Sequence, residues 1–390
     1  MSDWIIPLSD LDYGFEEMAA VQRVVRSKWL SMGPEVQAFE REFAEMQGVK
    51  HAFAVANATA GLHLAFLSLG LGPGDEVIQP ALNFVATANM TVAVGATPVF
   101  ADILRLSEPT IDPAHVERLI TPRTKAVVVM HYGGNLCRMV DFVNLCEERG
   151  LVHIEDACHA IGAKYCDQNR RPPHGMMAGS IGDISAFSFF ANKNLATGEG
   201  GMVVTNRDDL AERLRLLRSH GMTTLTWDRH NGHASSYEVI ANGYNYRLDE
   251  LHAALGRAQL AKLVRNNERR RRLLALYFQK LKPLTDWMLP GADNSGETSG
   301  HLMVAVAPTP EIRTIAGAKL REVGIQTSLH YPCISDFQAF TPWQTDAVKL
   351  SRDFSRRAMT LPMFPTMTEA MVERVCFTLR DAANLPVKES

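Results

Sequence analysis

Lys193 has the surroundings expected of a reactive amine. It follows an aromatic-rich segment, residues 186–190, and precedes a glycine-rich turn over residues 197–201. A lysine that forms an imine must be partly desolvated so that its pKa falls, and a position just past an apolar strand favours that. Ser188, in the same segment, can offer a hydroxyl group to a phosphate. Considered alone, Lys193 fits an ordinary surface lysine better than a catalytic one.

Two other segments have polar residues where predicted strands end. Glu155 and Asp156 follow the apolar residues 151–154, and ligands of open α/β sheets bind at the carboxyl ends of strands. A carboxylate there can keep a heteroaromatic nitrogen protonated, as pyridoxal phosphate (PLP) requires, although such an acid more often caps a helix. Thr59 lies where a helix N-terminus would present free N–H groups to a phosphate, and a plain helix cap is the alternative.

These residues need a sheet to position them, and the hydrophobic pattern predicts one. Short apolar segments predict strands over residues 51–55, 76–79, 126–130, 151–154, 185–189 and 202–205. Amphipathic segments between them predict helices over residues 59–69, 85–94 and 140–149. Near-continuous apolar strands that alternate with helices are typical of an α/β fold with a mostly parallel sheet and helices on both faces.

The pattern changes after residue 247. Two long helical stretches are predicted over residues 248–263 and 267–281, and residues 269–272 are arginines expected on a solvated helix face. A strand over residues 303–306 opens a region of mixed helices and strands. We therefore expect a large domain over residues 1–247 and a smaller C-terminal α+β domain over residues 248–390.

Composition and missing motifs exclude several functional classes. The 390 residues carry a formal net charge of −3, which argues against a general nucleic-acid binder. The sequence lacks the glycine-rich dinucleotide fingerprint and the phosphate-binding loop of ATPases. Its six cysteines lack zinc-ligand spacing, and no apolar run is long enough for a membrane helix. With no recognisable signal peptide, we expect a cytoplasmic protein without a metal site or a membrane partner.

Taken in order and at these separations, the three polar segments are far more specific than any one alone. The sequence resembles the DegT, DnrJ, EryC1 and StrS family of sugar aminotransferases, which belongs to the fold-type I (aspartate aminotransferase-like) PLP enzymes. The resemblance covers nearly the whole chain. Its further motifs lie at residues 29–34, 182–183, 218–222, 243–248, 330–332 and 361–365.

The resemblance implies roles for residues on both sides of the cofactor ring. Lys193 matches the lysine that forms the Schiff base, and Asp156 matches the partner of the pyridine nitrogen. Ser188, Thr59 and the backbone of Ala60 match the contacts to the cofactor phosphate.

Three more positions match cofactor contacts. Phe84 matches an aromatic residue that stacks on the ring, although without the resemblance it would be interpreted as core. His159 matches a position near the phenolic oxygen. Asn245 matches an asparagine that reaches the phosphate from the neighbouring subunit, which implies a homodimer with shared active sites. The candidate substrate-binding residues are His330, Tyr331 and Arg247, and Arg247 is chosen on its charge alone.

One position departs from the family. Ala58 stands where many relatives have glycine, and alanine lacks the easy access of glycine to positive φ. The phosphate loop can still form if Ala58 keeps a negative φ.

The function implied is transamination of a nucleotide-linked keto-sugar, with L-glutamate as the amino donor, in amino-sugar biosynthesis for a secondary metabolite or a surface polysaccharide. Relatives with histidine at the position of His159 tend to act at C4 of a 4-keto-6-deoxy sugar, and those with glutamine act at C3. Arg247 or the arginines near residue 270 are candidates to contact the sugar phosphates. The alternatives are a C3 aminotransferase, a PLP-dependent sugar dehydratase and a non-catalytic or regulatory PLP-binding relative, although dehydratases typically have histidine in place of Lys193.

Overall fold

The computed structural model describes residues 4–166, 174–224, 227, 236–292 and 297–383. The helices are α1 Phe15–Ser27, α2 Pro34–Gln47, α3 Ala58–Ser68, α4 Ala86–Ala93, α5 Pro113–Leu119, α6 Met139–Arg149, α7 Asp208–Leu217, α8 Glu250–Leu281, α9 Pro310–Glu322, α10 Lys349–Arg357 and α11 Glu369–Ala383. The strands are β1 His51–Val55, β2 Glu76–Pro80, β3 Thr97–Ala101, β4 Ile103–Arg105, β5 Glu108–Ile111, β6 Thr124–Met130, β7 Val152–Asp156, β8 Ile184–Ser188, β9 Gly201–Thr205, β10 Met303–Val306 and β11 Ala358–Leu361.

Within the described residues, seven strands form the central sheet in the order β1-β9-β8-β7-β6-β2-β3. Only β9 runs against its two neighbours, and the other pairs are parallel. One apolar cluster, with Phe43 and Phe187, and a second one, with Phe66 and Ile154, bury the two faces. The predicted α/β class with a mostly parallel, doubly covered sheet is confirmed.

Strand β7 extends further than its apolar residues indicate. The sequence predicted that it ends at residue 154, but Glu155 and Asp156 also pair with β6 on one side and β8 on the other. Backbone ladder bonds do not depend on side-chain polarity, so two carboxylates can occupy the end of a buried strand. The two side chains consequently point to opposite faces of the sheet.

Helix α8 corrects the prediction of two separate helices. It runs unbroken over Glu250–Leu281, 32 residues, because residues 264–266 contain neither glycine nor proline to end it. It contacts α1 and α2 in one part and α11 in another. Beyond it, β10 and β11 form an antiparallel pair over a separate apolar core that includes Tyr277 and Leu379. The domain division at residue 247 remains a prediction.

Arg270 does not lie on a solvated helix face, as the arginine run predicted. It is 2% exposed, and its Nη1 donates to the carbonyl of Met363 at 3.1 Å. Its neighbours Arg269 and Arg271 pair with Glu369 and Glu297. The prediction was wrong at this position because the C-terminal region covers this part of α8. No described helix combines the length and apolar character needed to cross a membrane.

Glu250 fastens α2 to the start of α8. Its buried carboxylate accepts hydrogen bonds from the backbone N–H groups of Gly33 at 2.8 Å, Glu35 at 2.9 Å and Val36 at 3.0 Å. These are amides that the first turn of a helix leaves without intrahelical partners, and the negative charge also complements the helix dipole.

We expect Glu250→Ala to lower the free energy of unfolding by about 2–4 kcal/mol, because three buried donors would lose a charged acceptor. Denaturant unfolding followed by circular dichroism measures the change. The matched control is Glu268→Ala, an exposed glutamate on the same helix, which should change the stability by less than about 0.5 kcal/mol. Equal effects of the two substitutions would contradict the role given to Glu250.

Candidate active site

A cavity of about 510 Å³ opens at the carboxyl ends of β7 and β8. Eight of the residues predicted from sequence line it: Thr59, Phe84, Asp156, His159, Ser188, Lys193, His330 and Tyr331. Residues far apart in sequence are thus brought to one place by the parallel sheet, as expected for a fold of this class. Three predicted residues, Ala60, Asn245 and Arg247, are not among the lining residues.

Asp156 is the carboxylate that faces the cavity. It is 4% exposed, and its Oδ2 accepts hydrogen bonds from Asn83 Nδ2 at 3.2 Å and Thr87 Oγ1 at 3.3 Å. The backbone N–H of Cys158 donates to Oδ1 at 3.3 Å. These donors stabilise a negative charge inside the protein and hold the carboxylate in one orientation. A helix cap, the alternative interpretation, does not describe this environment.

Glu155 points to the other face and has a structural environment. Its carboxylate accepts backbone hydrogen bonds from Gly179 and Ile181 at 2.8 Å and from Gly182 at 2.5 Å. His131 Nε2 lies 2.8 Å from Oε2. Burial alone would raise the pKa of Glu155, but the hydrogen bond from His131 and the backbone donors outweigh it and hold the pKa at about 2. Glu155 therefore anchors the loop that precedes β8.

Lys193 projects into the cavity from the turn after β8. Its backbone N–H donates to the carbonyl of Phe190 at 2.8 Å, which closes the turn. Burial lowers the pKa of Lys193, against the opposing effects of Cys158 and Asp156. The amine therefore loses its proton more readily than a surface lysine does, as imine formation requires.

His159 is held as a neutral imidazole. The backbone N–H of Gly133 donates to its Nδ1 at 3.2 Å, so its single hydrogen lies on Nε2, 2.7 Å from the hydroxyl oxygen of Tyr331. Burial, with smaller effects from Lys193 and His330, lowers the pKa of His159 well below its usual value. Because the Tyr331 oxygen accepts from His159, the Tyr331 O–H is left to donate to a ligand in the cavity.

The N-terminus of α3 forms one end of the cavity. Asn57 Oδ1 caps the helix by accepting from the backbone N–H of Ala60 at 2.8 Å, so that the amides of Ala58 and Thr59 are the ones directed at an anion. Ala58 is the first helical residue, and its φ is not left-handed. Alanine is therefore compatible with this loop, whereas the predicted phosphate contact of Ala60 would have to compete with the Asn57 cap.

Phe84 is an aromatic residue at the cavity edge rather than part of the core. Its side chain is 55% exposed, and its ring lies 5.8 Å from that of Tyr331. The core interpretation was wrong because Phe84 follows the end of β2, in the loop before α4. Ser188 lies opposite, and its Oγ accepts from the backbone N–H of Phe190 at 3.3 Å.

Asn245 and Arg247 lie on a segment that borders β1. Asn245 is exposed and forms a backbone bridge with Ser219, and Arg247 bridges Val55. Burial and the charge of Arg218 lower the pKa of Arg247. Neither side chain reaches the cavity of its own chain, so a role in binding requires a site outside this cavity or a second subunit.

The residues that line the cavity or support Asp156 but were missed from the sequence include Asn83, Thr87, Asn192 and Glu199. Asn83 follows β2, so the rule that polar residues after parallel strands meet at one edge could have found it. Asn192 had no sequence signal beyond its place next to Lys193. Its Oδ1 is buried and has no hydrogen-bond partner within the described part of the chain.

The residues of the cavity fit PLP. Asp156 offers a buried carboxylate for the ring nitrogen, and Lys193 offers a desolvated amine. The N-terminal amides of α3, with Thr59 and Ser188 nearby, suit a phosphate dianion. The unpartnered Asn192 Oδ1 adds an acceptor for a ligand donor. A lysine and a carboxylate at the carboxyl ends of neighbouring parallel strands are typical of PLP-dependent enzymes.

Comparisons with known proteins agree with this class. The family model of the DegT/DnrJ/EryC1/StrS aminotransferases matches residues 12–380. The spore coat polysaccharide biosynthesis protein SpsC of Bacillus subtilis is 38% identical over 378 residues, 94% of each chain. The solved structure of Helicobacter pylori PseC, an aminotransferase involved in pseudoaminic acid biosynthesis, is 30% identical, with a TM-score of 0.88 over 97% of this chain and 98% of PseC.

A second solved structure, S. venezuelae DesV in complex with a ketimine intermediate, is 35% identical, with a TM-score of 0.86 over 98% of this chain and 99% of DesV. The chain belongs to the DegT/DnrJ/EryC1/StrS aminotransferase family. It is a PLP-dependent aminotransferase, and the resemblance found in its sequence is confirmed.

Substitutions of the two neighbouring carboxylates should have separate effects, one on activity and the other on stability. We expect Asp156→Asn to lower kcat by at least about a hundredfold with little change in stability, because the group that faces the cavity loses its charge. Glu155→Gln should keep much of the activity but lower the free energy of unfolding at neutral pH by about 1–3 kcal/mol.

The pH dependence of stability is the control for the role of Glu155. Its pKa is about 2 in the folded protein and 4.5 ordinarily, so its contribution is present above pH 4.5 and is lost as the pH falls towards 2. The stability difference between wild type and Glu155→Gln should therefore narrow over that interval. A difference that widens on acidification would contradict the assignment.

Proposed function

We propose that this enzyme transfers an amino group from L-glutamate to the C4 ketone of a nucleotide-linked 4-keto-6-deoxy sugar and works as a homodimer. The observation that carries the aminotransferase chemistry is that an amine and a carboxylate, those of Lys193 and Asp156, line the same cavity. The relatives support a role in sugar metabolism, since SpsC is a polysaccharide biosynthesis protein and PseC acts in pseudoaminic acid biosynthesis.

When bound, PLP supplies a protonated ring that stabilises negative charge on the α-carbon of the amino donor. Asp156 would hold the proton on the ring nitrogen, and its hydrogen bonds with Asn83 and Thr87 fix the orientation of its carboxylate. The Lys193 amine takes the proton from the donor α-carbon and later delivers a proton to the former carbonyl carbon of the sugar. Burial favours the uncharged amine that the first of these transfers needs.

The preference for C4 rests on His159. Relatives with histidine at this position tend to act at C4, and here the neutral ring donates to the Tyr331 oxygen, which leaves the Tyr331 O–H available to donate to a substrate. His330, whose Nδ1 lies 2.9 Å from Thr360 Oγ1, lines the same side of the cavity. We propose that Tyr331 and His330 contact the sugar. Arg247 is the candidate for its phosphates, because Arg270 donates to backbone carbonyls inside the protein.

The homodimer is proposed from two exposed residues, one outside the cavity and one at its edge. Asn245 is exposed and does not line the cavity of its own chain, and Phe84 is 55% exposed at the cavity edge. Large exposed aromatic surface near a site is typical of an interface. A second subunit that covers this edge would bring its own Asn245 towards the phosphate end of the site.

Lys193→Ala should abolish turnover and remove the imine absorbance that forms when PLP is added. The expected loss is at least about a thousandfold in kcat, because both the imine and the proton carrier are removed. Lys125→Ala, at an exposed position of β6, is the matched control and should behave as wild type. Near-normal transamination by Lys193→Ala would overturn the proposed mechanism.

A half-reaction screen tests the substrate. The enzyme is first treated with L-glutamate, which should abolish the imine absorbance. The aminated enzyme is then mixed with 4-keto-6-deoxy and 3-keto sugars linked to thymidine, uridine or guanosine diphosphate. The proposal expects a 4-keto compound to restore the absorbance fastest. Faster recovery with a 3-keto compound would refute the C4 assignment, and elimination of a hydroxyl group without amination would indicate a dehydratase.

Mixing two inactive variants tests the shared site. Lys193→Ala and Asn245→Ala should each be poorly active at limiting PLP, for different reasons. If subunits exchange randomly, half of the dimers are mixed and each has one complete site, so activity should recover to about a quarter of wild type. Activity that stays at the sum of the separate variants would show that Asn245 does not complete the partner site.

A further inference from the structure

A closed hydrogen-bond network fixes the side chain next to the active-site lysine. Asn194 Nδ2 donates to Asn267 Oδ1 and to the carbonyl of Ser299, both at 2.8 Å. The Asn267 orientation is set in turn, because its Nδ2 donates to the carbonyl of Ile161 at 2.9 Å. Both hydrogens of the Asn194 amide are therefore in use, and its Oδ1 faces His301.

This arrangement decides the proton position on His301. Asn194 Oδ1 can only accept, so His301 Nδ1, 2.9 Å away, must carry the hydrogen and donate it. The other ring nitrogen, Nε2, is buried and has no hydrogen-bond partner within the described residues. His301 is 3% exposed, which excludes bulk water as a routine partner.

The charged and titratable groups around His301 keep the ring neutral. Those that face it are basic, namely His159, Lys193, Arg270 and His330, and burial together with these groups lowers the pKa of His301 well below its usual value. A second positive charge here would be repelled by Lys193 and Arg270. His301 therefore acts as a hydrogen-bond donor of fixed geometry and has no proton to exchange near neutral pH.

The same network reaches His159. The ring of His301 lies 4.4 Å from that of His159, tilted by 45°, and Ser299 Oγ donates to the His159 carbonyl at 2.6 Å. Two glycines make room for it. A side chain at Gly134 would collide with Ser299 Oγ, and one at Gly162 would lie 2.5 Å from Asn267 Nδ2. Both have left-handed φ, 93° and 75°, so an L-residue would also be strained.

We propose that His301 is a positioning residue for transamination, whose Nδ1–H fixes Asn194 and the turn that carries Lys193 while its ring supports the ring of His159. The inference rests on the proposed role of Lys193 as the reacting amine. His301 was not recognised from sequence, and it does not line the cavity.

Two substitutions separate positioning from packing. His301→Asn keeps an N–H donor near the place of Nδ1 but loses bulk, and His301→Leu keeps apolar bulk but has no donor. If His301 positions Asn194, the L-glutamate half-reaction of the leucine variant should slow by at least about tenfold, whereas the asparagine variant stays within about threefold of wild type. The melting temperatures should have the opposite order to the rates, with the leucine variant more stable than the asparagine variant.

The imine itself gives a readout apart from activity. The pH midpoint of its absorbance after PLP addition should shift by at least about half a unit in His301→Leu and stay at the wild-type value in His301→Asn. Asn194→Ala should reproduce the leucine variant, and the double variant His301→Leu with Asn194→Ala should be no slower than either single one, because both act through one contact.

Several results would overturn the inference: activities that follow stability, additive losses in the double variant, or an imine midpoint that neither variant moves.

Failure of the proposed function can be distinguished from failure of this inference. If Lys193 is not the reacting amine, Lys193→Ala retains the imine, and if L-glutamate is not the donor, wild type itself does not react. The imine midpoint still tests His301 when L-glutamate is not the donor, because it needs only PLP bound to Lys193.

Discussion

The site depends on the balance between one buried carboxylate and several buried basic groups. Asp156 is nearly inaccessible, and its charge is supported by Asn83 and Thr87. Lys193 is desolvated, which lowers its pKa, while the electrostatic effect of Asp156 raises it. Burial favours the uncharged amine of Lys193, and the hydrogen bonds to Asp156 hold its carboxylate in one orientation. The surrounding structure holds both conditions at once.

The fold meets this requirement through the end of one strand. Because successive residues of β7 face opposite sides of the sheet, Asp156 enters the cavity while Glu155 binds the amides before β8. The structural carboxylate thus holds in place the strand that leads to Lys193. One dipeptide serves the chemistry on one face and the architecture on the other.

The C-terminal region also contributes to the site that the central sheet builds. His330 and Tyr331 line the cavity, and His301 joins the neighbourhood of Lys193 to that of His159 through Asn194. The histidines of this cluster are kept neutral by burial and by nearby positive charge. They are therefore suited to orienting other groups, and proton transfer is the role proposed for Lys193.

The sequence alone determined the fold class, because near-continuous apolar strands between helices are typical of a parallel sheet covered on both faces. It also determined the candidates Lys193, Asp156, Thr59 and Ser188, because their order and spacing are distinctive. The continuity of α8 was missed although residues 264–266 contain no helix breaker. The sequence did not determine that Arg270 is buried, which depends on the surfaces that the C-terminal region covers, or that Phe84 is exposed, which depends on the position of the loop after β2. The contact between His301 and Asn194 was likewise decided by tertiary structure, since it joins residues 107 positions apart. Local sequence patterns indicate which face of a helix or strand is buried. Burial by distant segments and hydrogen bonds over such sequence separations are decided only when the helices and the sheet pack together.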